Sequence, residues 1–234
     1  MPTHQTPRAA AVLLAAGAGS RVGAELNKVL LPLDGVAILA RSVRTVLDVK
    51  GVHRVVLVVR AEDRDAVREA VAPHLGAHDL WVVDGGARRH DSEWQALRVL
   101  ADEIESGELD VVAIHDAARP LASAALWEAV IAAAAEHGGA IPVVRIQQML
   151  ERDGSLASPD LVGVQTPQAF RAPELLRAYR QADADGFVGS DTAACLERYT
   201  DLEIIGTPSS PANLKVTYRE DVALAETLLR QRAD

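Results

Sequence analysis

AAVLLAAGAGSR (Ala10–Arg21) runs from seven apolar residues directly into a glycine-rich turn that ends on a cation. A short uninterrupted apolar run of this kind is what a strand buried on both faces needs, and in open α/β sheets ligands sit in the turns that follow such strands. Arg8 followed by an apolar stretch also has the outline of a short signal core, but the segment leads into Arg21 and Lys28, which favours the strand. Working outward, four further runs predict buried strands: Arg54–Val59, Leu80–Asp84, Val111–Asp116 and Ala140–Val144. Helical spacing of apolar residues marks Ile38–Leu47, Ala61–Ala72, Ser92–Glu105, Ser123–His137, Ala172–Ala182, Asp191–Arg198 and Arg219–Arg232, with Ser92, Ser123 and Ser190 as candidate caps. Strands alternating with helices predict an α/β fold with one mostly parallel sheet flanked by helices. The 234 residues suit a single domain, 1–234.

One segment breaks the alternation. VVRIQQMLERDGSLASPDLVGVQTPQ (Val143–Gln168) carries a hairpin-type Asp153-Gly154 between two weak strand candidates, which predicts a short projecting β-arm over residues 143–165. Such an arm suits contact with a second copy.

Composition narrows the function. The net charge is −9 and the eight aromatic residues are scattered, so neither the basic stripe nor the stacking platform of a nucleic-acid binder is present. No run reaches the roughly 20 apolar residues of a membrane span. A single cysteine, Cys195, excludes an internal disulfide and fits a reducing cytoplasm. A phosphorylated ligand would therefore need a local cationic site within an acidic surface.

Four motifs could build one. Gly17, Gly19 and Gly23 follow the first strand with neither the dinucleotide nor the Walker spacing, but Arg21 and Lys28 flank the turn where a triphosphate would need neutralising. Taken alone, this is equally an ordinary turn with two solvated cations. GGARRHDS (Gly85–Ser92) ends the third strand candidate with two glycines that permit close backbone approach, or it is a turn capped by Asp91 or Ser92. AIHDAARPL (Ala113–Leu121) places Asp116 and Arg119 at a strand end, where a carboxylate can hold Mg²⁺ and a guanidinium can grip a phosphate; the alternative is an Asp–Arg pair closing a loop. His115 reads as structural, because no other histidine has ligand spacing. Lys215, just before the last helix, is either a cation at the mouth of the site or a solvated lysine.

In order, LAAGAGSR, NKVLLPLDG, GGARRHDS, HDAARP, VQTPQAF (Val164–Phe170), SDTAACLE (Ser190–Glu197) and NLKVTYREDVALAE (Asn213–Glu226) make the chain resemble the 2-C-methyl-D-erythritol 4-phosphate cytidylyltransferase family along nearly its whole length. The motifs are also similar to those of ribitol 5-phosphate cytidylyltransferases. The resemblance implies a nucleotidyltransferase (Rossmann-like) domain, a homodimer made through the arm, and transfer of CMP from CTP to 2-C-methyl-D-erythritol 4-phosphate with Mg²⁺ and release of pyrophosphate, in non-mevalonate isoprenoid precursor synthesis. By matching position it implies Arg21, Lys28 and Lys215 as catalytic cations. It implies Ala15, Ala16, Gly17, Gly85, Gly86, Ser92 and Ala117 around the cytidine, Asp116 as metal ligand, and Asp116, Arg119 and Thr166 at the acceptor. The arm departs from the family pattern, reading Pro142-Val143-Val144-Arg145-Ile146 where an Asp-Thr pair is usual, and Ser158 stands where an arginine is usual. Those departures leave open another polyol phosphate, or a homologue that binds CTP without transferring it.

Overall fold

The computed structural model describes residues 6–17, 27–146 and 160–231. Its chain order begins β1 (Ala9–Leu14), β2 (Pro32–Leu33), β3 (Val36–Ala37), α1 (Ile38–Leu47), β4 (Val52–Val59), α2 (Arg64–Val71), β5 (Trp81–Asp84), α3 (Arg89–Glu105) and β6 (Val111–Asp116). It continues with α4 (Ala124–His137), β7 (Gly138–Arg145), β8 (Val162–Val164), β9 (Gln168–Arg171), α5 (Ala172–Asp185), α6 (Thr192–Tyr199), β10 (Glu203–Pro208) and α7 (Glu220–Arg230). The main sheet runs β10-β7-β9-β6-β1-β4-β5, and β8 pairs with β7 off that path.

The opening strand β1 lies at the centre, parallel to both β4 and β6. Its alternate residues serve the two layers. Ala9, Ala11 and Leu13 pack with Val43, Trp127 and Val130 of α1 and α4, while Ala10 and Val12 pack with Leu97, Leu100 and Tyr179 of α3 and α5. Alanine on both faces lets helices approach closely, which is why an alanine-rich strand can occupy the middle of a three-layer fold. A smaller cluster of Leu33, Ile38, Leu121, Val216 and Ala225 fastens α7 and the β2–β3 hairpin beside the sheet.

Most expected elements are present within a residue or two, and four differences have local causes. The helix expected over Ala61–Ala72 is divided into a 3₁₀ turn at Ala61–Asp63, α2, and a second turn at Ala72–His74 that contains Pro73. Ser92 is not the cap of α3. The helix starts at Arg89, and the Asp91 carboxylate accepts the Arg88 N–H at 3.0 Å, so Ser92 lies inside the first turns. Asp191, not Ser190, caps α6, accepting the Ala194 N–H at 2.9 Å. Finally, β9 inserts antiparallel between β6 and β7 and interrupts the parallel succession. Four residues long and entered through the cis Thr166-Pro167 bond, it has no periodic pattern of its own and exists through its two neighbours.

At the segment expected to form an arm, β7 runs out to Arg145 and pairs with β8 across Val143–Val164 and Arg145–Val162. Residues 147–159, including the expected Asp153-Gly154 turn and Ser158, lie outside the described residues, as does Arg21.

Candidate functional site

Strand order reverses on either side of β1: the chain leaves β1 for β4 and β5 on one flank, and β6 lies on the other. Such a switch point opens a crevice beyond the carboxyl ends of the strands. Here the crevice is a cavity of about 600 Å³ lined by residues from the ends of β1, β4, β5 and β6, together with Lys28 and Lys215. Motifs up to 200 positions apart in sequence therefore meet because their strands are parallel and end at one edge.

The two glycine-containing turns form one wall. Ala15, Ala16 and Gly17 follow β1, and Gly85 and Gly86 follow β5, all lining the cavity. A Cβ on Gly85 would overlap the methyl of Ala16 and come within 2.9 Å of Ser92 Oγ, and one on Gly86 would overlap the Asp91 side chain. Only glycine lets these turns lie flat against each other. Ser92 closes this wall: its hydroxyl accepts the Gly86 N–H at 3.1 Å and donates to the Arg88 carbonyl at 3.1 Å.

Lys28 is placed from below. Buried Asn27 caps the 3₁₀ turn Lys28–Leu30 by accepting the Val29 N–H at 3.3 Å, and its amide donates to the Ala15 carbonyl at 2.9 Å and to Asp63 Oδ2 at 2.8 Å. Asp63 in turn receives a two-point contact from Arg60, at 2.6 and 3.0 Å. Burial of Asp63 is opposed by these Arg60 and Asn27 donors, which leave its carboxyl below the usual range. Both Lys28 and Arg60 line the cavity.

Asp116 ends β6 with Lys215 Nζ at 2.6 Å from Oδ2 and Arg89 Nε at 3.5 Å from Oδ1. Burial alone would raise this carboxyl, but the Lys215 ammonium and Arg89 guanidinium hold it well below the usual carboxylate range, so it is an anion. Its backbone is fixed by Thr166, whose hydroxyl accepts the Asp116 N–H at 3.0 Å and meets His115 Nδ1 at 3.0 Å. With Thr166 donating to Nδ1, the His115 proton belongs on Nε2, facing the Arg119 carbonyl at 3.1 Å. Burial pushes His115 down to about 4, so the ring is neutral and structural, packed 5.0 Å from Trp127. Arg89 is also tied to buried Glu93 and to Thr192 Oγ1, the latter at 3.2 Å.

Three expected site residues do not line this cavity. Ala117 is fully buried, its N–H bonded to the Leu14 carbonyl and its C=O to Ser42, and Ala118 lines the cavity in its place. Arg119 does not line the cavity; it donates to the Asn213 carbonyl at 2.8 Å, and its buried Nε has no partner among the described residues. Thr166 is buried with its hydroxyl consumed by Asp116 and His115. Of the expected gathering, Lys28 and Lys215 line the cavity, together with Arg60, Arg88 and Arg89, Arg119 does not line it, and Arg21 lies outside the described residues. Arg60 and Arg89 were legible only as cations next to a strand end and a Gly-Gly turn. Asn27 and Thr192 stand in quoted motifs but with no role that the sequence assigns, and Asp63 and Glu93 carry no sequence signal, since the contacts that join these four to the site, Asn27 to Asp63 and Thr192 to Glu93, cross between elements.

Among the described residues no three His, Cys, Asp or Glu side chains gather as a metal cage, and no helix is long and apolar enough to cross a membrane. A hard cation such as Mg²⁺ needs no such cage: one ionised carboxylate suffices when nucleotide phosphates and water complete the shell. Asp116, anionic and facing the cavity, fits that role.

Residues 9–231 match the family model described as IspD, 2-C-methyl-D-erythritol 4-phosphate cytidylyltransferase. The chain is 39% identical over 234 residues to the protein of that name from Symbiobacterium thermophilum, covering 95% of this chain and 93% of the relative. It is 36% identical to the one from Solibacter usitatus, with 97% of each chain covered. Among solved structures, a 4-diphosphocytidyl-2C-methyl-D-erythritol synthase from Anaerococcus prevotii superimposes with a TM-score of 0.81 at 22% identity, over 96% of this chain and 97% of that one. A 2-C-methyl-D-erythritol 4-phosphate cytidylyltransferase from Thermus thermophilus does so with a TM-score of 0.70 at 25% identity, over 94% and 98%.

Proposed function

The chain belongs to the 2-C-methyl-D-erythritol 4-phosphate cytidylyltransferase family, and we propose that the cavity beyond β1, β4, β5 and β6 is where it carries out that reaction. The enzyme transfers CMP from CTP to 2-C-methyl-D-erythritol 4-phosphate, a step in isoprenoid precursor synthesis. The observation that carries the placement is the convergence of both glycine turns with Lys28, Lys215 and Asp116 on one volume of about 600 Å³, in the range of a small-molecule site.

A phosphate oxygen of the acceptor attacks the α-phosphorus of CTP, the bond to the β-phosphate's bridging oxygen breaks, and pyrophosphate leaves. The acceptor phosphate is already ionised, so no general base is required. What remains for the protein is alignment and neutralisation of charge. The glycine turns and Ser92 present backbone groups to the cytidine. Lys28 faces the triphosphate and offsets the charge of the departing pyrophosphate, a role that the family resemblance extends to Arg21. Lys215 serves the crowded α-phosphorus, and Asp116 would hold a divalent metal. Bound there, Mg²⁺ would supply charge neutralisation to the phosphates. Arg119 and Thr166 act at one remove: Thr166 fixes the Asp116 backbone, and Arg119 ties the β6 loop to the Asn213–Lys215 segment.

The reading extends to one domain spanning residues 1–234, a cytoplasmic setting, and a homodimer formed through the arm over residues 143–165. The support for the last is that Leu161, Val162 and Val164 leave 40–53% of their surface exposed on a two-stranded extension. Pyrophosphate release from CTP with Mg²⁺ and a panel of polyol phosphates tests the function. Turnover is expected with 2-C-methyl-D-erythritol 4-phosphate, and turnover with ribitol 5-phosphate alone would overturn the acceptor.

A further inference from the structure

Beneath the cavity floor lies a buried carboxylate for which the reaction has no direct use. Glu93 on α3 is 1% exposed and receives three donors: the Thr192 hydroxyl at 2.6 Å, the Tyr179 hydroxyl at 2.6 Å, and Arg89 Nη1. Thr192 starts α6 and Tyr179 lies on α5, so two helices are committed to holding one acid on a third. Tyr179 is itself fixed by stacking on His90, with ring centroids 4.7 Å apart. Burial pushes the Glu93 carboxyl up, against the pull of Arg89 and both hydroxyls.

The guanidinium that Glu93 holds is shared. Arg89 Nε is 3.5 Å from Asp116 Oδ1, at the outer edge of hydrogen bonding, whereas a full charge-assisted contact closes to about 2.8 Å. Asp116 therefore has one tight cation, Lys215 at 2.6 Å, and one held back. Three donors hold Glu93 as the anion that balances Arg89, as Lys215 balances Asp116, while the buried Arg119 guanidinium adds positive charge near both Asp116 and Arg89. If Glu93 lost its charge, Arg89 would face Asp116 as its sole counter-ion, and a divalent metal would have to displace two cations instead of one.

We propose that Glu93 is a positioning residue that restrains the Arg89 guanidinium, so that Asp116 can exchange its single close partner, Lys215, for the divalent metal that accompanies CTP. This rests on the placement of metal and CTP at Asp116 described above. The released Lys215 is then available to the phosphates, which links metal arrival to the placing of a catalytic cation.

Enzyme-bound Mn²⁺, read by electron paramagnetic resonance with equimolar CTP and no acceptor, tests the proposal without turnover. Glu93→Gln preserves shape and removes charge, and is expected to weaken Mn²⁺ binding about tenfold, in the range seen when a partner of a metal ligand is altered. Arg89→Met and the double variant Arg89→Met/Glu93→Gln should bind Mn²⁺ alike, because Glu93 acts only through Arg89. A Glu93→Gln affinity equal to wild type, or a double variant about tenfold weaker than Arg89→Met, would overturn it. Should Glu93→Gln fail to fold in a thermal melt, Glu93→Asp decides: it keeps the charge and draws it back from Arg89, so weaker Mn²⁺ binding supports the restraint and wild-type binding refutes it. Wild-type enzyme that binds no Mn²⁺ with CTP would instead remove the placement at Asp116 on which the proposal stands.

Discussion

Lys215 and Asp116 face each other at 2.6 Å, yet Lys215 keeps 40% of its side chain exposed, so water can replace the ammonium when it is removed. Arg89 also remains beside Asp116. Lys215→Ala is therefore expected to cost only about 1 kcal/mol of stability, the scale of one hydrogen bond. In contrast, kcat should fall on the order of 10²–10³-fold, the scale of losing a charge-stabilising donor. Near-normal turnover in a steady-state assay would contradict its role. Asn27 is the opposite case, since its three contacts are buried and its own side chain does not line the cavity. Asn27→Ala leaves Asp63 and the Ala15 carbonyl short of a donor, so urea unfolding should show a loss of about 1–3 kcal/mol. Because Lys28 follows directly, KM for CTP should rise more than kcat falls. Burial pushes the Cys195 thiol up to about 12. A raised value means protonated thiol, roughly one part thiolate in ten thousand at pH 8, so native protein should resist a thiol reagent that labels it at once in denaturant. Rapid native labelling would contradict the packing around α6.

At the scale of elements, the glycine turns after β1 and β5 work as a pair because no Cβ separates them. Gly85→Ala pushes the β5 turn off Ala16 and Ser92, which should abolish measurable CTP affinity by calorimetry while the far-ultraviolet circular dichroism stays helical and sheet-rich. Retained affinity would show that the two turns do not have to touch. Strands β1, β4 and β6 and helices α1 and α4 were readable from local pattern because continuous apolar runs and 3.6-residue spacing report burial directly. The sequence points to Ser92 as the cap of α3 because an Arg88–Asp91 box carries no standard serine or threonine at the cap position. Short β9 has no sequence signature because four residues held on both sides by β6 and β7 need none of their own.

For the whole molecule, an acidic surface and a cationic crevice coexist because charge is sorted by strand ends. If the exposed valines of the extension seal a dimer, Val162→Asp with Val164→Asp should shift the species seen in light scattering from two chains to one. Unchanged mass would remove the arm from the interface. The chemical inventory was legible in sequence: the glycine turns, Lys28, Asp116 and Lys215, in an order that matched one enzyme family. So was the α/β class, since the burial of each strand is written in its own residues. The tertiary structure alone decided who touches whom. It lines the cavity with Arg60 and Arg89 and not with Ala117, Arg119 or Thr166, and it joins Glu93 to Thr192 across 99 positions. Local periodicity reports how deeply a residue is buried. Partners at a site are set by which strands are neighbours, and that is a property of the packed sheet, not of any one segment.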